Sequence, residues 1–171
     1  MTLIRDATPK DAPALARIYA HYVETTAFTF EEVPPSAEEM ADRMDKITGG
    51  GLPYLVAEKD GAVTGYAYAA PFRTRSAYRF TVENSIYVAP EHAGQGLGTA
   101  LMRRLIADCA KRGFAQMIAG IGDKQNMASV RLHQRLGFQP AGELRSVGRK
   151  FGRWVDVMYM QLALGEGGDP G

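Results

Sequence analysis

Gly94-Gln95-Gly96-Leu97-Gly98 joins a strand-like run ending at Pro90 to a helical run in which Leu97, Leu101, Leu105 and Cys109 recur at fours. A glycine-rich loop opening into a helix offers free backbone N–H groups and the positive end of the helix dipole, which together suit a phosphate. Glycine at three alternate positions removes side chains where backbone must approach the ligand. No Gly-Lys-Ser/Thr follows, and Thr99 takes the place of the last glycine of a dinucleotide fingerprint, so neither common nucleotide loop is present. A plain strand-to-helix turn is the bland alternative. Upstream, Glu83 lies inside residues 79–88, a run otherwise rich in β-branched and aromatic residues. Desolvation there would raise its pKa towards the range useful for a general base, whereas simple strand alternation would turn it to solvent. Just before it stand Phe72-Arg73-Thr74-Arg75. Two guanidinium groups in one loop suit a carboxylate, which guanidinium binds bidentately, and they also suit a solvated surface.

These groups need elements to hold them. Residues 3–7 form a short first strand, and Thr8-Pro9-Lys10-Asp11 starts a helix with a cap, a first-turn proline and an acid three residues past the cap. Ala12, Leu15, Ile18, Tyr19, Tyr22 and Val23 carry its apolar face to about Glu24. A second capping box, Ser36-Ala37-Glu38-Glu39, leads into Met40, Met44 and Ile47 and stops at Gly49-Gly50-Gly51. Between these helices residues 28–35 form an apolar, proline-bearing loop. Asp60-Gly61 is a hairpin signal between strands at 54–58 and 62–70. Strand 79–88, the glycine loop and its helix to Gly113, strand 114–121, helix 126–136 with Gly137 as its stop, and closing strands at 138–147 and 154–164 complete the order. This predicts an α/β chain with one mixed sheet and helices on both faces. Residues 1–164 are expected as a single domain, and residues 165–171, with almost nothing to bury, as a disordered tail.

Composition agrees with that frame. A chain of 171 residues, 46% hydrophobic and 23% charged, has the length of one domain and enough apolar surface for a core. The single Cys109 has no internal partner for a disulfide, and neither a signal segment nor an apolar run of about 18 residues occurs. A soluble, cytoplasmic protein with no membrane contact is expected. Residues 1–70 carry a net −5 and residues 71–171 a net +6. That asymmetry suits an anionic ligand on the later segment, and without a basic, aromatic-interleaved block it does not suit nucleic acid. His21, His92 and His133 lack companion spacing, so no metal site is expected, and no Gly-x-Ser-x-Gly elbow is present.

Four segments, in order, resemble the GNAT N-acetyltransferase superfamily. Residues 87–101, from Tyr87-Val88-Ala89-Pro90 through the glycine loop to Leu101, resemble its acyl-CoA pyrophosphate loop, and residues 126–138, ending in Leu132-His133-Gln134-Arg135-Leu136-Gly137-Phe138, resemble its second cofactor segment. Thr81-Val82-Glu83-Asn84-Ser85-Ile86-Tyr87-Val88 and residues 148–156 are similar to the branch of phosphinothricin and methionine sulfoximine or sulfone acetyltransferases. The likeness runs from Ile4 to Leu162. Two positions depart from it: Ala93 stands where the superfamily commonly has Arg or Gln, and His133 where many relatives carry a tyrosine proposed to protonate the leaving thiolate.

The resemblance implies a mostly antiparallel, twisted sheet whose central strands splay into a wedge. Acetyl-CoA would be the co-substrate. Its pantetheine would pair with the backbone of Ile86, Tyr87 and Val88, with the Val88 N–H polarising the thioester carbonyl. Pyrophosphate would sit on Gly94, Gln95, Gly96, Leu97, Gly98 and Thr99. Asn126, which also reads as a helix cap, would bind the cofactor arm, and Arg135 would lie near its phosphates. Glu83 would act as base on the amine through a water, and His133 as acid, although a packed helix histidine explains that residue equally well. A small amino-acid-like acceptor would be held by Arg73 and Arg75 at its α-carboxylate, with Phe28 and Phe72 walling the pocket. The family further implies a homodimer, for which the Trp154 to Met160 segment is a candidate interface or else core. Two other functions stay open. A GNAT acting on a protein N-terminus or a polyamine would not need the arginines, and a non-catalytic acyl-CoA sensor would not need a buried Glu83.

Overall fold

A computed structural model describes residues 1–165. The elements follow in the order β1 (Thr2–Asp6), α1 (Ala12–Thr25), α2 (Ala37–Gly49), β2 (Tyr54–Lys59), β3 (Ala62–Pro71), β4 (Thr81–Val88), α3 (Leu97–Lys111), β5 (Gln116–Gly122), α4 (Met127–Arg135), β6 (Gln139–Lys150) and β7 (Arg153–Ala163). They build one seven-stranded sheet, ordered β1-β2-β3-β4-β5-β7-β6. Every neighbouring pair is antiparallel except β4 and β5. This is the mixed sheet that the element order predicts. The expected tail lies, beyond Gly165, outside the described residues.

Local signals account for most boundaries. The Ser36 side chain accepts the Glu39 N–H at 3.1 Å and starts α2 as its pattern dictates, whereas the Thr8 N–H donates to Asp11 at 2.7 Å to close a 3₁₀ turn, Pro9–Asp11, ahead of α1. Asp60 and Gly61 both have positive φ, 52° and 78°, which is the geometry of a primed two-residue hairpin turn. Two expectations shift. The strand expected from Arg79 begins at Thr81, because Ser76–Tyr78 forms a 3₁₀ turn just before it. The strand expected to end at Val147 runs to Lys150, because residues 145–147 bulge out, with Ser146 at φ 53°, and pairing resumes at Gly148↔Val155.

Helices cover both faces, each over its own core. On one face α3 packs Leu101, Met102, Leu105 and Cys109, all 0% exposed, against Leu55, Ala67, Val82, Met117 and Met160. Truncating either leucine to alanine would cost about 2–5 kcal/mol. On the other face α1 and α2 set Leu15, Ile18, Tyr19, Met40 and Met44 against Tyr54, Val56 and Tyr66. The Trp154 to Met160 segment alternates between two fates: Val155 and Met160 are core, while Trp154 is 60% exposed.

Candidate active site

The opening in the sheet comes from strands that stop pairing. β4 and β5 are in register from Thr81↔Gln116 to Asn84↔Ala119, and no pair follows, although β4 continues to Val88 and β5 to Gly122. The backbone beyond Asn84 therefore faces a cavity of about 460 Å³ instead of a neighbouring strand. Ile86, Tyr87 and Val88 form one wall and Gly120, Ile121 and Gly122 the other. The mouth is closed by Gly94, Gly96, Leu97, Gly98 and Thr99, and α4 contributes Asn126, His133 and Arg135. Phe28 reaches the cavity from the loop after α1.

Glycine is required at the loop. Gly94 and Gly96 have φ of 76° and 81°, and Gly96 is the cap of α3, so the first N–H groups of that helix are turned to the cavity mouth with no side-chain cap on them. Gly98 allows α3 to meet α4, since a Cβ there would lie 3.3 Å from Leu132. Gln95 does not join this wall; its side chain accepts a hydrogen bond from the Lys59 ammonium at 3.1 Å.

Successive residues of β4 point to opposite faces. Glu83 faces the α1 and α2 side and Asn84 the α3 and α4 side, so the strand presents a carboxylate on one face and an amide on the other. Glu83 is half-buried, and burial pushes its carboxyl above the ordinary range while the nearby Arg73 guanidinium draws it down. Its Oε2 lies 3.7 Å from where a Cβ on Gly120 would sit, and the Tyr159 ring lies 3.4 Å from the same point. Glu83 thus stands at the edge of the wedge on the α1 and α2 face, without lining the cavity itself.

On the far face the His133 ring is 2% exposed: Nδ1 donates to the Ser129 carbonyl at 2.7 Å, with the Ser129 hydroxyl 3.3 Å away, and Nε2 accepts from the Asn84 amide at 3.0 Å. Burial lowers its pKa, which favours the neutral ring. Asn126 does cap α4, accepting from the Ser129 N–H at 3.4 Å, while still lining the cavity. Arg73 and Arg75 are both exposed. Arg73 lies over the Phe72 ring at 4.2 Å, close enough to act on Glu83, but neither Arg73 nor Arg75 lines the cavity. Phe72 is likewise outside it.

Several cavity residues are given no role by the sequence. Tyr22 comes from α1, where its spacing reads simply as core, yet it lines the cavity and its hydroxyl donates to the Val88 carbonyl. Asn84, Ser85 and Arg131 also line it. Among the described residues, no group of three His, Cys, Asp or Glu side chains is placed to hold a metal ion, and no helix is long and apolar enough to cross a membrane.

Residues 4–159 match the model of the acetyltransferase (GNAT) domain. The chain belongs to the GNAT acetyltransferase family. It is similar to a phosphinothricin N-acetyltransferase of Alcaligenes faecalis, at 52% identity over 96% of this chain and 83% of the relative. It is 41% identical to an L-methionine sulfoximine/L-methionine sulfone acetyltransferase of Salmonella typhimurium, over 98% and 97% of the two chains. Among solved structures it superposes, with a TM-score of 0.93 and 48% identity, on a GNAT superfamily phosphinothricin acetyltransferase from Sinorhizobium meliloti in complex with acetyl-CoA, covering 97% of this chain and 90% of that one. The splayed β4 and β5 and the glycine loop are therefore those of an N-acetyltransferase.

Proposed function

We propose that this enzyme transfers the acetyl group of acetyl-CoA to the α-amino group of a small amino-acid analogue of the phosphinothricin, methionine sulfoximine or methionine sulfone type. The observation that carries this is the unpaired end of β4 beyond Asn84, with Glu83 at its edge and the bare N-terminus of α3 at its mouth. Relatives and a cofactor-bound neighbour with those activities support it.

In this reading the pyrophosphate is held by the loop N–H groups and the start of α3, with Arg135 and Arg131 nearby, and pantetheine lies along Ile86 to Val88. The Val88 N–H polarises the thioester carbonyl, and the Tyr22 hydroxyl steadies that peptide by bonding its carbonyl. Glu83 takes the proton of the acceptor ammonium, through a water, leaving a free amine. Glu83 passes that proton through the water to solvent; the nitrogen attacks the carbonyl carbon, the C–S bond breaks, and the second amine proton leaves to the Glu83 carboxylate so restored. His133 holds its proton on Nδ1, facing Ser129, and presents only a lone pair at Nε2. We therefore assign it to positioning α4 against β4, and the thiolate takes its proton from solvent. Arg73, assisted by Arg75, holds the acceptor carboxylate beside Glu83, and Phe28 and Phe72 flank it.

We include a homodimer in the proposal. β6 is an edge strand with Leu144 and Val147 46% and 51% exposed, and the adjoining hairpin exposes Phe151 and Trp154, each at 60%. Light scattering behind gel filtration checks it, and a monomer at micromolar concentration refutes it.

The reaction is tested by thiol release from acetyl-CoA with phosphinothricin, methionine sulfoximine, methionine sulfone, ordinary amino acids, spermidine and a short peptide. Turnover confined to the amino-acid analogues, and lost when the α-carboxylate is esterified, is expected. Turnover of the peptide or spermidine instead, or tight cofactor binding without any acceptor-dependent release, overturns the assignment.

A further inference from the structure

A second cavity of about 290 Å³ lies on the α1 and α2 face, and no part of the reaction above uses it. Its floor is a ladder of tyrosines: Tyr54 from β2, and Tyr66 and Tyr68 from β3. Their rings are nearly parallel, with Tyr54 4.8 Å from Tyr68 and 6.0 Å from Tyr66. All three leave the same face of the sheet, so their hydroxyls extend towards α1 and α2, where Tyr19, Met40 and Arg43 close the space.

The hydroxyls make this more than a packing gap. A buried tyrosine ordinarily finds a hydrogen-bond partner for its hydroxyl. Tyr54 and Tyr66 are 3% and 1% exposed, yet neither hydroxyl has a partner among the described residues. Neither oxygen is sealed in protein, so both open onto the cavity. Burial holds both phenols protonated, so each has an O–H to give. At the rim, Arg43 is balanced by Glu31 and Glu39, while Lys46 has no ion-pair partner among the described residues. The site is therefore apolar along its walls and donor-rich inside, with the Lys46 ammonium at its rim. That is the complement of a side chain ending in oxygens on sulfur or phosphorus.

Its position relates it to Glu83. Ala70 lines the cavity and pairs directly with Glu83, and such opposed residues have Cβ atoms about 4.5–5.5 Å apart. Tyr68 pairs with Ser85, a residue of the cofactor wedge. An amino acid whose nitrogen sits at Glu83 can thus lay a methionine-length side chain past Ala70 into the tyrosine ladder.

We propose that this cavity is the subsite for the acceptor's side-chain terminus, and that the Tyr54 and Tyr66 hydroxyls select a sulfone, sulfoximine or phosphinate oxygen there. The inference rests on the acetyl transfer proposed above. Its test compares methionine sulfone with methionine, which share a carbon skeleton and differ in the two oxygens. In the Tyr54→Phe/Tyr66→Phe enzyme, kcat/KM for the sulfone should fall about tenfold or more, as expected for two lost hydrogen bonds, while kcat/KM for methionine and KM for acetyl-CoA stay put. Equal losses for both acceptors, or no loss for the sulfone, overturn it. Ala70→Leu provides an independent readout by narrowing the entrance: activity on the sulfone should drop more than activity on alanine, and equal effects count against the subsite. Calorimetric titration of CoA-loaded enzyme with methionine sulfone separates the two proposals. If the wild type turns over neither acceptor, the reaction assignment fails, yet weaker binding by the double variant still supports the subsite. Unchanged or undetectable binding refutes it.

Discussion

The two faces of β4 solve different recognition problems with different materials. Towards α3 and α4 the cavity is bounded largely by main chain and small residues: Gly94, Gly96 and Gly98 at its mouth and Gly120 and Gly122 along β5. Towards α1 and α2 the strand faces side chains, with Glu83 beside Tyr159 and the tyrosine ladder beyond Ala70. A cofactor offering phosphates and amides is met by backbone donors of fixed geometry. In the proposed reading the acceptor, which must be told from its neighbours, is met by side chains, which can change without disturbing the sheet. The difference teaches where changes in rate and changes in specificity should be found.

The sharpest break of that contrast is Glu83→Gln. It should lower kcat by about 10²–10⁴ while leaving acetyl-CoA binding intact, and full turnover near neutral pH would remove the base from the acceptor face. On the opposite face, Gly96→Ala places a Cβ on a residue with φ of 81°. Strain of about 1–2 kcal/mol should weaken CoA binding roughly 5- to 30-fold in a direct titration, with acceptor KM unmoved; the reverse pattern would mean that the loop serves the acceptor.

Smaller effects sharpen the comparison. Asp11 anchors the start of α1, with Arg5 donating to both of its oxygens at 2.9 Å and Thr8 N–H to Oδ2 at 2.7 Å. Asp11→Ala should cost about 1–2 kcal/mol in urea unfolding at neutral pH. Arg5 holds the folded carboxyl below its ordinary 3.8, so this contribution is complete above that value and lost as pH falls through the folded one. The variant and the wild type should therefore converge in acid, and a gap independent of pH would show that the ion pair is not its source. For Arg73→Gln, removing the cation leaves burial to raise Glu83 unopposed. With Glu83 as the proposed base, activity needs it ionised, so the acid limb of kcat/KM should move to higher pH; a stationary limb would place Arg73 away from Glu83. Last, Gln95→Ala should change KM for acetyl-CoA less than about twofold, since the side chain turns to Lys59.

Much of the cofactor side was legible before any coordinates. Its signals are local: a glycine loop, a helix start and an asparagine cap each occupy a few consecutive residues, and φ/ψ preference and capping act over that range. The acceptor side was less legible. Glu83 stood out only as a charge in an apolar run, and neither strand order nor register can be read from one strand. Tyr22, Asn84 and Tyr159 were given no role, because a tyrosine on a helix face, an asparagine in a strand and a tyrosine in a closing strand are ordinary core or surface residues until something is set opposite them. Histidine 133 shows the converse: its place in a familiar segment suggested an acid, and only the Asn84 amide and the Ser129 carbonyl reveal which nitrogen carries the proton.

By itself the sequence determined the elements and their order, the glycine loop and the family, because propensity, patterning and motif spacing are properties of consecutive residues. Only the tertiary structure decided that β4 and β5 part after Asn84, that Glu83 and His133 lie on opposite faces of one strand, and that three tyrosines from two strands converge on one cavity. Those facts depend on which segments pair and in what register, and pairing is settled by the burial of surfaces far apart in the chain.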